Sequence, residues 1–283
     1  MEFRRIDPEQ ELERLRGFLF ASDPHDYLLE ELDTWTREGR LWVGVEGESW
    51  VAFGRLSDLA HGEGWVSGLR VERSRRGEGF GRQFLTGLLS DARSIGLTEL
   101  RAVIEDENLA SRRLFARLGF RPILEMTLRC GKPGPIDEGP LHAVRAGEGL
   151  DGPIGWIPSR TGRVDVLPGA EGGRFGRWDR GILGRWIQER KLYQGHGMAV
   201  AVQVDWWRQP RTMWVQPLQG EPGSLFPAVA ALAKKLGQEE WQAFLPSNDD
   251  LRRTYTGLGL SAHPFWGDRV HLYERAEGRL TSP

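Results

Sequence analysis

Apolar positions along this chain switch between a spacing of two and a spacing of three to four, which predicts alternating strands and helices. Phe3 to Ile6 reads as a short strand. Pro8 to Phe20 carries Leu12, Leu15, Phe18 and Leu19 at helical spacing, and Tyr27 to Trp35 does so again. Two strand-like runs, Leu41 to Val45 and Trp50 to Leu56, flank a turn at Glu46-Gly47-Glu48. A third, Trp65 to Val71, leads into a loop rich in glycine and arginine. A helix (Phe84 to Ile95), a strand (Glu99 to Ile104), a helix (Leu109 to Leu118) and a strand (Arg121 to Leu128) follow. Between Gly131 and Gly152 glycine, proline and charge crowd together, predicting a linker or an extended crossing.

The plan then starts again. Asn108 to Phe120 lies over Asn248 to Leu260 at an offset of 140, with Asn, Arg-Arg and Leu-Gly coinciding. Leu32, Trp35, Glu38, Leu41 and Gly44 match Leu183, Trp186, Glu189, Leu192 and Gly195 at an offset of 151. Trp65-Val66 and Trp214-Val215 sit at 149, whereas the helix with Leu85, Leu88 and Ala92 meets Phe226, Val229 and Ala233 at 141. The second copy has thus lost about the length of the glycine-rich loop. The pattern predicts a duplicated α/β (α+β) fold, with a first domain over 1–130, a linker or crossing over 131–152 and a degenerate copy over 153–283.

Composition narrows the class of function. At 283 residues the chain suits two domains, and a net charge of −2 excludes a strongly basic nucleic-acid binder. All but four of its 38 basic residues are arginine, which reads as compositional habit because acidic residues number 40. A single cysteine, Cys130, excludes a disulfide scaffold and reads as an inert thiol. No apolar run reaches the roughly 18 residues of a membrane span, and the charged N-terminus has no signal-peptide core. The expected setting is the cytoplasm, without membrane or nucleic acid. The histidines at 25, 61, 142, 196, 263 and 271 form no metal-ligand pair on one helix, so no metal is predicted. Trp206, Trp207 and Trp214 read as core or domain-seam filling rather than as a substrate pocket.

The loop Val71-Glu-Arg-Ser-Arg-Arg76-Gly77-Glu78-Gly79-Phe80-Gly81-Arg82 joins a strand to an amphipathic helix. Three glycines in five positions allow tight turning and present consecutive N–H groups, a cradle for phosphate oxygens at a helix N-terminus. Arg75, Arg76 and Arg82 are positioned to add charge. No Gly-Lys-Ser/Thr follows, which excludes a P-loop, and Arg82 stands where a dinucleotide fingerprint needs Gly or Ala. Arg76-x-x-Gly79-x-Gly81 after a strand, followed by Asn108, Ser111 and Leu118-Gly119-Phe120, resembles the GNAT superfamily of acyl-CoA N-acyltransferases. The resemblance covers residues 1–130, and the second half resembles a degenerate copy in a tandem arrangement.

That resemblance implies acetyl-CoA as co-substrate, its pyrophosphate on Arg76, Gly77, Gly79, Phe80, Gly81 and Arg82. Leu69 and Val71 would offer main-chain groups to the pantetheine arm, which Asn108 and Ser111 would border. It implies direct acetyl transfer to an amine, with catalysis by placement and by polarisation of the thioester. Two positions depart from the family. Phe115 stands where a tyrosine often protonates the leaving thiolate, and Tyr255 occupies that place only in the copy without the loop. Trp65 stands where some members carry a glutamate base; Glu63, Glu105, Asp106 and His61 are the remaining candidates, each of which also reads as a solvated surface group. Glu63 and Glu105 are the catalytic candidates carried forward. The expected acceptor is a small amine and the expected state a monomer or homodimer. The alternative is a non-catalytic acyl-CoA-binding or structural relative.

Overall fold

A computed structural model describes residues 1–38, 40–135, 139–149, 166–168, 175–177, 179–204, 211–264, 266 and 268–276. The expected Trp206-Trp207 pair lies outside these residues. The chain divides into two compact units, the first comprising Met1–Ile104, Asn108–Ile123 and the final strand from Tyr273. The second comprises Glu105–Glu107 and Leu124–Leu272.

The first unit opens with β1 (Glu2–Arg5), α1 (Pro8–Ser22) and α2 (Leu28–Glu38). Asp7 caps α1 by accepting from the Glu9 N–H at 3.1 Å, and Pro8 stands in the first turn, where a missing N–H costs nothing. Then follow β2 (Arg40–Glu46), β3 (Ser49–Asp58), β4 (Glu63–Val71), α3 (Phe80–Ser94), β5 (Glu99–Glu105) and α4 (Leu109–Arg117). The sheet runs β1-β2-β3-β4-β5 and is antiparallel except for β4–β5.

Period-two alternation divides the core between the two sheet faces. Phe53 joins Leu15, Leu19, Leu28, Leu32 and Trp35 of the first two helices. Its neighbour Ala52 joins Phe84, Leu85, Leu88 and Phe115 beneath α3 and α4. Each fully buried leucine contributes about 1.5–3 kcal/mol relative to exposure, so these two layers hold the strands that shape the site.

The second unit is built from β6 (Arg121–Gly131), β7 (His142–Ala143), β8 (Val166–Pro168), β9 (Phe175–Arg177), α5 (Arg180–Gln188), β10 (Leu192–Gly195), β11 (Met198–Gln203), β12 (Thr212–Gln219), α6 (Pro222–Lys235), β13 (Glu240–Pro246), α7 (Asp249–Gly257) and β14 (Ser261–Ala262). Its sheet runs β6-β13-β12-β11-β10-β7, with β14 also on β6, while β8 and β9 pair separately. The closing strand β15 (Val270–Ala276) passes its last four residues to the first unit, beside β5. Each unit is therefore completed by the strand that ends the other sequence repeat.

Several boundaries move from the sequence expectation. Helix α3 begins at Phe80 rather than Phe84, because left-handed Gly79 serves as its N-cap. Strand β6 runs on to Gly131 and takes Cys130 with it, since β13 supplies a partner along Met126 to Gly131. The segment read as a linker contains β7, paired with β10. No helix among the described residues is long and apolar enough to cross a membrane.

Candidate active site

Strands β4 and β5 share only three rungs, Glu63↔Glu99, Gly64↔Leu100 and Trp65↔Arg101. Beyond them β4 continues to Val71 and β5 to Glu105 without mutual register. The cause lies in β4. Its register with β3 slips by one residue between Phe53↔Arg70 and Arg55↔Ser67, which makes a β-bulge that bends the strand. Gly68 sits in the bulge at φ +64°, where a Cβ would lie 2.5 Å from the Trp35 ring. Only glycine combines that dihedral with that approach.

The opening exposes main-chain groups in an ordered way. The Glu72 N–H donates to the Val51 carbonyl at 3.0 Å beside the Ala52↔Val71 pair, so Val71 points its own N–H and C=O away from β3. By alternation Leu69 does the same. Their carbonyls accept from guanidinium groups, Leu69 from Arg70 at 3.2 Å and Val71 from Arg76 at 3.3 Å. Arg70 is itself anchored on Asp26 by two bonds of 2.5 and 2.9 Å.

At the end of β4 a 3₁₀ turn, Arg73–Arg75, leads to Gly77 (φ +88°) and Gly79 (φ +91°), and nothing lies within 4 Å of a Cβ placed on either. The first N–H of α3 to find its helical carbonyl is that of Gln83, on Gly79. The N–H groups of Phe80, Gly81 and Arg82 therefore stand outside the helical ladder, at the positive end of the helix. A Cβ on Gly81 would meet Leu114 and Val71 side chains at 3.4 Å each, which places α4 and the strand end against this turn. A depression of about 480 Å³ lined by Gly79, Arg82, Gln83 and Thr86 adjoins it. Arg82 and Arg76 are exposed, whereas Arg75 is committed to Glu46 at 2.5 Å and Glu78 at 3.0 Å and lies over the Phe80 ring. Asn108 caps α4, its side chain accepting from the Ser111 N–H at 3.1 Å. The structure thus brings the strand end at Val71, the glycine turn and Leu114 of α4 together.

The catalytic candidates fare differently. Glu63 is buried at the closed end of the split, 3.0 Å from the Arg101 guanidinium, and is no free carboxylate. Glu105, half-buried at the end of β5, falls with the second unit. Asp106, also in that unit, meets His271 Nε2 at 2.7 Å. His61 is exposed in a left-handed turn (φ +64°). Phe115 is buried edge-on against Phe120, with centroids 4.8 Å apart. The sequence reading missed Arg101 and the bulge; a charged residue inside an apolar strand and a glycine inside another were the signals. Among the described residues no cluster of three or more metal-type ligands occurs.

Residues 9–120 match the model of the GNAT acetyltransferase family. These residues form a GNAT domain. Three solved structures match nearly the whole chain. A candidate acetyltransferase from Thermoplasma acidophilum is 16% identical with a TM-score of 0.64, over 98% of this chain and 100% of that one. A GCN5-related N-acetyltransferase from Sphaerobacter thermophilus is 15% identical with a TM-score of 0.58, over 97% and 95%. A tandem GNAT protein from the clavulanic acid biosynthesis pathway is 13% identical with a TM-score of 0.55, over 98% of each. Such likeness establishes the fold, which is that of a tandem GNAT protein. No curated relative matches the chain significantly.

In the second copy of the fold β12 and β13 again share three rungs, Thr212↔Glu240, Met213↔Trp241 and Trp214↔Gln242. Residues 63 and 212 differ by 149, and 99 and 240 by 141, the offsets read from the sequence. Only Gly220 and Glu221 separate β12 from α6, and Glu221 with Pro222 at the helix start leaves no cradle for an anion. Tyr255 is buried, its hydroxyl donating to the Pro246 carbonyl at 3.0 Å.

Proposed function

We propose that this tandem GNAT protein transfers an acetyl group from acetyl-coenzyme A directly to the nitrogen of a small amine. The observation that carries the reading is the β4–β5 opening, with Leu69 and Val71 turned into it and unladdered N–H groups at its mouth. Residues 76–82 would take the pyrophosphate, the two strand residues the pantetheine amides, and Asn108 and Ser111 would border that arm. The amine attacks the thioester carbonyl carbon, the carbon–sulfur bond breaks, and the nitrogen gives up its proton. Placement supplies most of the acceleration. Glu63 cannot accept that proton without breaking its pair with Arg101, so proton removal falls to water. Phe115 offers no proton to sulfur, and the thiolate leaves unaided, as a group with a pKa near about 8.5 can. The setting is cytoplasmic, the state a monomer or homodimer, and no metal takes part. A second reading, coenzyme binding without catalysis, is favoured by Phe115 and by the engaged Glu63.

Calorimetric titration of acetyl-CoA and coenzyme A into the protein and into Gly79→Glu and Gly81→Glu tests the assignment. Micromolar binding abolished by both substitutions supports it; no binding to the unmodified protein sinks it. Thiol release on adding primary amines then separates transfer from binding alone.

A further inference from the structure

Arg101 is 0% exposed and touches three carboxylates, one from each of three strands. Its Nη1 lies 3.0 Å from Glu63 of β4, its Nη2 3.0 Å from Glu99 of β5, and its Nε 2.8 Å from Glu274 of β15. All four groups belong to the first unit. Arg101 also occupies the last rung before β4 and β5 part. On the other face of β15 the neighbouring residues reach α4: Arg112 Nε donates to the Tyr273 hydroxyl at 3.3 Å, and Arg275 donates to the Leu118 carbonyl at 2.7 Å.

We propose that Arg101 is a positioning residue, which sets the width of the β4–β5 cleft by drawing Glu63, Glu99 and Glu274 onto one guanidinium. The role in coenzyme binding rests on the function proposed above. With three rungs only, the backbone ladder between the strands is short, so a side-chain clamp at its end governs how far they open. Through Tyr273 and Arg275 the same strand ties the clamp to the helix that borders the cleft.

Three carboxylates around one cation, with Glu63 and Glu99 buried and Glu274 half-buried, leave an excess of negative charge, which burial penalises. Burial and the Glu99 carboxyl push Glu274 above its ordinary value of 4.5, against the pull of Arg101. The groups acting on Glu274 are therefore Glu99 and Arg101 of β5. A carboxyl raised in the folded state stabilises most below its unfolded value, and that stability is lost as pH rises through the folded value. The clamp is tightest near the ordinary carboxyl range and slackens upward from it.

Thermal unfolding and coenzyme A titration between about pH 5 and pH 8 test this on the unmodified protein, Glu274→Gln and Arg101→Lys. As pH rises, the unmodified protein should melt lower and bind coenzyme A about threefold to tenfold more weakly. Glu274→Gln, a neutral amide of the same shape, should remove both slopes. Arg101→Lys, which keeps the charge and loses the three-way fork, should weaken binding at every pH. Slopes unchanged in Glu274→Gln, or binding unchanged in Arg101→Lys, overturn the clamp alone. Absence of coenzyme binding by the unmodified protein at every pH overturns the proposed function, and the positioning role with it.

Discussion

Position by position, the β4–β5 and β12–β13 pairs agree in backbone and differ in charge. Both hold three parallel rungs, and both carry a register slip against the preceding strand, near Gly68 in one and between Ala199 and Val200 in the other. Trp65 corresponds to Trp214, but Arg101 corresponds to Gln242 and Glu63 to Thr212. Glu99 keeps its acid in Glu240, which accepts from Gln242 at 2.9 Å. The opposite partner changes as well, from Glu274 beside Arg101 to Cys130 beside Gln242. A split strand pair therefore needs a bulge and no ionic cluster. The ionic cluster and the glycine turn are features of the first copy.

Removing the cluster's centre should separate the copies most clearly. Arg101→Met leaves buried Glu63 and Glu99 and half-buried Glu274 without their cation and is expected to cost about 3–5 kcal/mol, whereas Gln242→Met should cost about 1 kcal/mol. Urea unfolding of both variants measures the gap; equal losses would break the contrast. Exchanging the aromatic residues on the matching helices comes next. Tyr255→Phe strands the Pro246 carbonyl and Phe115→Tyr buries a new hydroxyl, each a loss of about 1–3 kcal/mol. A neutral Phe115→Tyr would mean that the first copy still has room for a phenol.

A smaller and opposite pair of effects is expected at the helix starts. Gly79→Ala forces a side chain into φ +91° and should cost about 1–2 kcal/mol. Gly223→Ala, in the helix with open space around it, should gain up to about 1 kcal/mol. Thermal melts of the two variants should move in opposite directions. Least disruptive is alkylation of Cys130, whose thiol burial, with the nearby Glu240 carboxylate, pushes up to about 12. At pH 8 the native thiol should react at least about a hundredfold more slowly than the same thiol in urea. A fast native reaction would mean that β6 opens readily at Cys130.

How much of this was legible in the sequence depends on how far apart the cooperating residues lie. Alternation in Trp50 to Leu56 and the glycines at 77, 79 and 81 act within a few residues, and the strands, the turn and the repeat offsets follow from them. The helix starts at Phe80 because an unusual dihedral at Gly79 overrides apolar spacing. Arg101 gathers partners from positions 63, 99 and 274, a separation no local pattern encodes. The same holds for Tyr273 on Arg112, 161 residues away. Glu63 read as a base because period-two spacing placed it near Trp65; that spacing does not reveal a guanidinium waiting across the ladder.

The exchange of β6 and β15 between units bears on how the chain is made. During synthesis β5 emerges about 170 residues before Tyr273–Ala276, so its outer edge waits unpaired while the whole second repeat is translated. The first unit matures only after the second repeat has passed through the exit tunnel, although its sequence comes first. An exposed edge of that duration is a template for wrong partners. Nascent chains arrested before residue 270 should therefore depend on chaperones far more than chains released after 276.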